Sequence, residues 1–178
     1  MGETQADGIL SGAADKLWAQ NDVYWHAGDY PRIIALDRII VQVEPQFIEC
    51  YTTAAWLMWS DGADADAEAF YKQCIHNNPG TSLAYYDYGF FLFNHQHRYA
   101  DAQQVFARSA ALSDAGVLDY RMLAHSYEKL GQYDKAVGVW RRIKARWPHG
   151  APHDTTQGVV DTNNLSKDLL LLKGAPAR

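Results

Sequence analysis

Residues 120–148 constrain the fold more than any other stretch of the chain. Tyr120, Leu123, Ala124 and Tyr127 recur at three- and four-residue steps, which puts them on one face of a helix. Gly131-Gln132-Tyr133 follows, and a second stripe of Ala136, Trp140 and Ile143 closes at Pro148. Ala124 has almost no side chain, so the second helix can lie close to the first there. Gly131 accepts a left-handed turn conformation at no steric cost, and the residue before Pro148 avoids helical angles, so the hairpin carries its own turn and stop. One such hairpin leaves apolar surface on both outer faces. It requires neighbours of its own kind.

Those neighbours lie upstream. Tyr85, Tyr88, Gly89 and Leu92 precede Ala102, Phe106 and Ser109; Tyr51, Ala54, Ala55 and Met58 precede Ala67, Tyr71, Cys74 and Pro79. Leu17, Asn21 and Tyr24 lead through Gly28-Asp29-Tyr30 and Pro31 to Ile33, Ile40 and Pro45, with Asp37 standing where the other copies have an aromatic. Pro45 to Pro79 and Ala102 to Ala136 each span 34 residues, whereas Ala67 to Ala102 spans 35, which assigns one extra residue to the turn at 94–98.

This pattern resembles the tetratricopeptide repeat, a helix pair of about 34 residues with the signature W-x2-L-G-x2-Y, A-x3-F, P. Tyr120 takes the tryptophan place, Ala124 the glycine, Trp140 the phenylalanine and Ile143 the second small residue. The resemblance covers residues 14–148 and implies an all-α fold, an α-solenoid of four hairpins (14–45, 46–79, 80–114 and 115–148) wound as a right-handed superhelix. Residues 1–13, small and polar, read as a flexible arm. Residues 149–161, rich in Gly, Pro, Thr and Asp, read as a linker. A C-terminal capping or docking helix is expected over 162–174, with Asn163 or Asn164 as its cap, Leu165, Leu169 and Leu172 on one face, and Gly174 at its end.

In proteins of this resemblance the first helix of each hairpin lines the concave side. One register of that lining reads Trp18, Asp22, Trp25; Thr52, Trp56, Trp59; Tyr86, Phe90, Phe93; and Arg121, His125, Glu128, of which seven are aromatic. The expected partner-binding residues are Trp18, Trp25, Thr52, Trp56, Trp59, Tyr86, Phe90, Phe93, Arg121 and His125, because an exposed aromatic trough marks an interaction site. Core packing between hairpins and occupation by the chain's own tail are the competing readings. Some relatives clamp a terminal carboxylate with Lys, Asn and Arg; only Arg121 and Lys129 offer that charge here, and Asp22 opposes it.

Charge narrows the partner. The net charge of -5 argues against nucleic acid, which selects a basic surplus. Residues 1–119 hold 6 Lys and Arg against 16 Asp and Glu, while residues 120–178 hold 10 against 5. The cations Arg141, Arg142, Lys144 and Arg146 sit late in a helix, where they complement its dipole. The two cysteines, Cys50 and Cys74, fall in the packing stripes and read as small buried hydrophobes.

Catalytic and metal chemistry find no support. His95-x-His97, His149 and His153 lack a carboxylate or thiol to complete a ligand set. Asp61, Asp64, Asp66 and Glu68 precede a helix without calcium-loop spacing, so they read as acids at the positive end of its dipole. No phosphate loop, nucleophile elbow or haem-attachment motif occurs. The Asn164-Leu165-Ser166 triplet fits a glycosylation sequon that only a secretory route would use. Met1-Gly2 is followed by Ala6 where myristoylation needs Ser or Thr. No signal-like start or membrane-length apolar run is present, so a cytoplasmic location without membrane insertion is expected, or an extracytoplasmic one for a trimmed mature form. The expectation is a non-enzymatic, cofactor-free scaffold holding an apolar or helical segment of a protein or peptide partner. The alternative is a structural subunit that self-associates head-to-tail.

Overall fold

The computed structural model describes residues 5–148, which fold as eight α-helices with no strand among the described residues. They are α1 (Gln5–Ala27), α2 (Tyr30–Val43), α3 (Ile48–Ser60), α4 (Asp64–Asn77), α5 (Ser82–Phe90), α6 (Tyr99–Ser109), α7 (Val117–Lys129) and α8 (Tyr133–Arg146). A π-helical turn, Phe91–His95, continues α5. The chain divides into two compact units, Met1–Gly80 and Thr81–Arg178. In the first, α2 packs on both α1 and α3, and α3 on α4; in the second, α6 packs on both α5 and α7, and α7 on α8.

The packing stripes form both cores. Ile33, Ile40, Tyr51, Ala54, Ala55, Met58, Ala67, Tyr71 and Cys74 are buried in the first unit, as are Tyr85, Tyr88, Leu92, Phe106, Leu123, Ala124, Ala136, Trp140 and Ile143 in the second. Cys50 and Cys74 are buried in the interior and form no disulfide. Close approach is enforced at Gly89, where a Cβ would stand 2.7 Å from the Phe106 ring. Burial of Trp140 requires a partner for its indole N–H, and Glu128 Oε1 accepts it at 2.7 Å.

Three hairpins turn alike. Gly28, Gly62 and Gly131 have φ of 69°, 82° and 69°. The amide of the next residue donates back five positions, from Asp29 to Tyr24, Ala63 to Met58 and Gln132 to Tyr127, at 2.8–2.9 Å. This geometry ends a helix while satisfying its last carbonyls. The third hairpin differs. Its extra residue, expected in the turn at 94–98, is taken up by the π-helical turn instead, because the wider i→i+5 bonding accommodates one residue more than an α-turn. The closing bond accordingly reaches back six positions, from Arg98 N to Leu92 O at 2.9 Å. The glycine place falls on His97, with φ 54°.

One boundary moves. The first hairpin was expected to begin at Ala14, after a loose arm, but α1 starts at Gln5. No proline interrupts residues 5–13, and Gly8 and Gly12 lower helix propensity without stopping a helix. The expected linker at 149–161 and helix at 162–174 lie outside the described residues.

Candidate protein-interaction face

The first helix of each hairpin, α1, α3, α5 or α7, carries two stripes. The packing stripe is turned inward; none of the twelve residues of the second stripe is buried. Trp25, Trp56 and Phe90 are 40–46% exposed, and the rest of the predicted set is half-buried.

In the first unit, Trp25 of α1 and Trp56 of α3 approach with ring centroids 6.2 Å apart. Tyr30 meets Trp25 edge-on at 5.8 Å, and Trp18 lies 5.1 Å from Phe47. Thr52 folds its hydroxyl back to the Glu49 carbonyl at 3.1 Å. Acids share this face. Asp15, Trp18, Asp22 and Trp25 follow the same helical spacing as Glu49, Thr52, Trp56 and Trp59, and all three carboxylates belong to exposed residues. His26 Nδ1 lies 2.8 Å from the Asp22 carbonyl and 3.5 Å from its carboxylate.

In the second unit, Tyr86 and Phe90 stack at 6.2 Å, and His95 meets Phe90 edge-on at 6.1 Å. Phe93, in the π-turn, leans on Tyr99 at 5.1 Å and Phe106 at 6.5 Å. On α7, His125 stands edge-on to Trp140 at 5.2 Å. Its Nδ1 lies 2.9 Å from Glu128 Oε2, which accepts. Burial pushes the Glu128 carboxyl up, but hydrogen bonds from His125 and Trp140 outweigh it and hold the group below its ordinary value. His125 and Glu128 thus form a fixed polar end to the stripe, and Arg121 lies one turn before His125.

In the second unit the i, i+4, i+7 reading leaves out two exposed residues of the same helical register. Leu83 and Leu118, at 44% and 41% exposure, sit three residues before Tyr86 and Arg121, in the register of Asp15 and Glu49. Extending each stripe by one turn finds them. Nine large hydrophobic residues are exposed among the described residues, and Trp25, Trp56, Leu83, Phe90 and Leu118 fall in this one register.

No group of three or more His, Cys, Asp or Glu suited to a metal ion occurs among the described residues. No helix among them is long and apolar enough to cross a membrane.

A family model of the tetratricopeptide repeat matches residues 121–150. No curated protein sequence matches the chain. Among solved structures the chain is similar to MamA, at 20% identity over 82% of this chain and 75% of that chain, with a TM-score of 0.57. It is similar to PilF of Pseudomonas aeruginosa at 14% identity over 92% and 68% of the two chains, with a TM-score of 0.64. YrrB, described as a TPR protein with an unusual peptide-binding site, aligns at 12% identity over 72% and 66%, with a TM-score of 0.54. At these identities the likeness is one of fold. With a tetratricopeptide repeat matched on α7 and α8 and the same kind of hairpin recurring before it, the described residues have the fold of a tetratricopeptide-repeat array.

Proposed function

We propose that this protein is a non-enzymatic scaffold that holds an apolar or helical segment of another protein against the second stripe of its first helices. The observation that carries the reading is the concentration of exposed Trp25, Trp56, Leu83, Phe90 and Leu118 in one helical register, apart from the buried packing stripe. A folded chain gains nothing for its own stability by leaving these side chains half in water, whereas a partner's apolar side chains would remove that surface from solvent. Helix-in-groove recognition reads side chains at this spacing. That YrrB, of similar fold, is described as having a peptide-binding site supports a peptide or protein partner.

Binding of a panel of amphipathic peptides to Trp56→Ala and Phe90→Ala chains tests this. Each substitution should weaken binding at least about tenfold, the effect of a hot-spot aromatic. Thermal stability should hardly change. A loss of about 3–5 kcal/mol, the cost of truncating a buried aromatic, would return these residues to the core and overturn the reading.

A further inference from the structure

The stripe is not uniform in charge, and the difference specifies a partner. In the first unit each tryptophan-bearing helix opens the stripe with an acid, Asp15 on α1 and Glu49 on α3, and Asp22 stands between Trp18 and Trp25. In the second unit the corresponding opening positions are Leu83 and Leu118. Residues 1–80 hold 12 Asp and Glu against 4 Lys and Arg, so the acids of this face have few cations of their own unit to answer them. Three of those four are spoken for. Arg32 pairs with Asp29 at 3.2 Å, Arg38 faces Asp66 at 4.0 Å and Lys72 pairs with Glu68 at 2.8 Å. Asp22 lies 3.5 Å from His26 Nδ1.

We infer that the Trp25–Trp56 face of the first unit takes a cationic amphipathic segment of a partner protein, with Lys or Arg placed over the indoles and against Asp15, Asp22 and Glu49. This rests on the reading proposed above and adds the partner's charge. Indole is the strongest aromatic partner for a cation, and an adjacent carboxylate removes the cost of bringing that cation out of water. A neutral apolar segment would cover the rings but leave the three acids facing its own backbone carbonyls. An acidic segment would be repelled.

A second copy is the weaker occupant, because four cations of the second unit are already engaged within it. Arg146 donates to the Tyr120 hydroxyl at 3.0 Å and covers the Trp147 ring at 4.8 Å, and Arg142 lies over Tyr120 at 5.8 Å. Lys129 and Lys135 lie over Tyr99 and Tyr127 at 5.5 and 5.6 Å.

The test is selection from a random peptide library displayed on phage, panned against the full chain and against two variants. One variant combines Trp25→Ala with Trp56→Ala; the other combines Asp15→Asn, Asp22→Asn and Glu49→Gln. All five positions lie outside the buried core, and an unchanged helical circular dichroism spectrum and melt show that the variants are folded. Peptides selected on the natural chain should carry Lys and Arg at about twice the library frequency or more. They should fail on the tryptophan variant and lose their charge bias on the amide variant. One synthetic selected peptide should bind several-fold more weakly in about 0.5 M salt than in about 0.05 M, since exposed charges are screened over that range. Selected peptides with no charge bias that still depend on the two tryptophans would overturn this inference and leave the proposed function standing. Peptides indifferent to the tryptophans, or no selected peptides at all, would overturn both. A dimer in sedimentation that the tryptophan variant dissolves would put a second copy on the face and overturn the foreign segment.

Discussion

Asn21 and Asp37 occupy places that are apolar in every other hairpin. Their counterparts by repeat register are Ala55 and Tyr71, Gly89 and Phe106, and Ala124 and Trp140, a small residue facing a large aromatic each time. In the first hairpin both halves of the pair have changed together, and Asn21 Nδ2 donates to Asp37 Oδ1 at 2.6 Å. Asp37 is fully buried, and burial pushes its carboxyl up to about 7, against the weaker opposing pull of Asn21 from α1 and Cys50 from α3. Asn21 Oδ1 and Asp37 Oδ2 have no hydrogen-bond partner. A protonated carboxyl carries an O–H donor and no charge, and burial disfavours the charged form, so the neutral acid suits this site and the carboxylate does not. The sign of the pH dependence follows. The folded value, about 7, lies above the ordinary 3.8, so this group's stabilisation is complete below about 3.8 and is lost as pH rises to about 7. Urea unfolding of the natural chain and of Asn21→Ala/Asp37→Tyr should show that fall in the natural chain and lose its Asp37 share in the variant. Above neutrality the double variant should be more stable by about 1–4 kcal/mol, as when a buried polar pair gives way to packed apolar groups. Asn21→Ala alone should destabilise, because it strands the acid.

At the scale of the element, the third hairpin shows how an inserted residue is absorbed. A helix with one residue too many can loop it out at the turn or widen its last turn. Here the apolar residues decide. Phe91 and Leu92 are both buried, and the wide turn keeps them inside while carrying Asn94 to the surface. The consequence falls on His97, which must take the left-handed conformation that glycine takes in the other three hairpins. That conformation costs an L-residue roughly 1–2 kcal/mol, partly offset by the larger chain entropy that glycine loses on folding. His97→Gly should therefore raise stability by about 0.5–1 kcal/mol in thermal or urea unfolding, with the hydroxyl of Tyr99 losing only a 3.4 Å contact. A drop in stability would mean that the imidazole holds the turn. Periodicity revealed the helices and the second stripe because both depend on which residues recur at 3.6-residue steps. It revealed the extra residue as a change of spacing from 34 to 35, but spacing cannot tell a longer turn from a wider helix. Position by position, the sequence shows Asp37 only as a polar residue in an aromatic's place; its compensation by Asn21 appears where the two side chains meet.

For the whole molecule, stability in a repeat protein is a sum of local terms, since each repeat packs only on its neighbours. The chain's division into Met1–Gly80 and Thr81–Arg178 gives that rule a measurable form. Trp140 is the largest fully buried side chain, and its indole N–H bonds Glu128 on the partner helix of its own hairpin. Trp140→Ala removes both the packing and that bond and leaves the Glu128 carboxylate with His125 alone, so a loss of roughly 3–5 kcal/mol is expected. In a domain with one core that loss would lower protection against amide hydrogen exchange everywhere. In an array of local terms it should be confined, with α6, α7 and α8 exchanging faster and α2, α3 and α4 keeping their natural rates. The reciprocal lesion, Tyr51→Ala, removes a fully buried ring tilted against Phe70 at 4.9 Å and should expose α2 to α4 while sparing α7 and α8. Hydrogen exchange read by mass spectrometry on the two variants decides the matter. Uniform loss of protection in both would show that the two units unfold as one, so that a lesion in either lowers the stability of both.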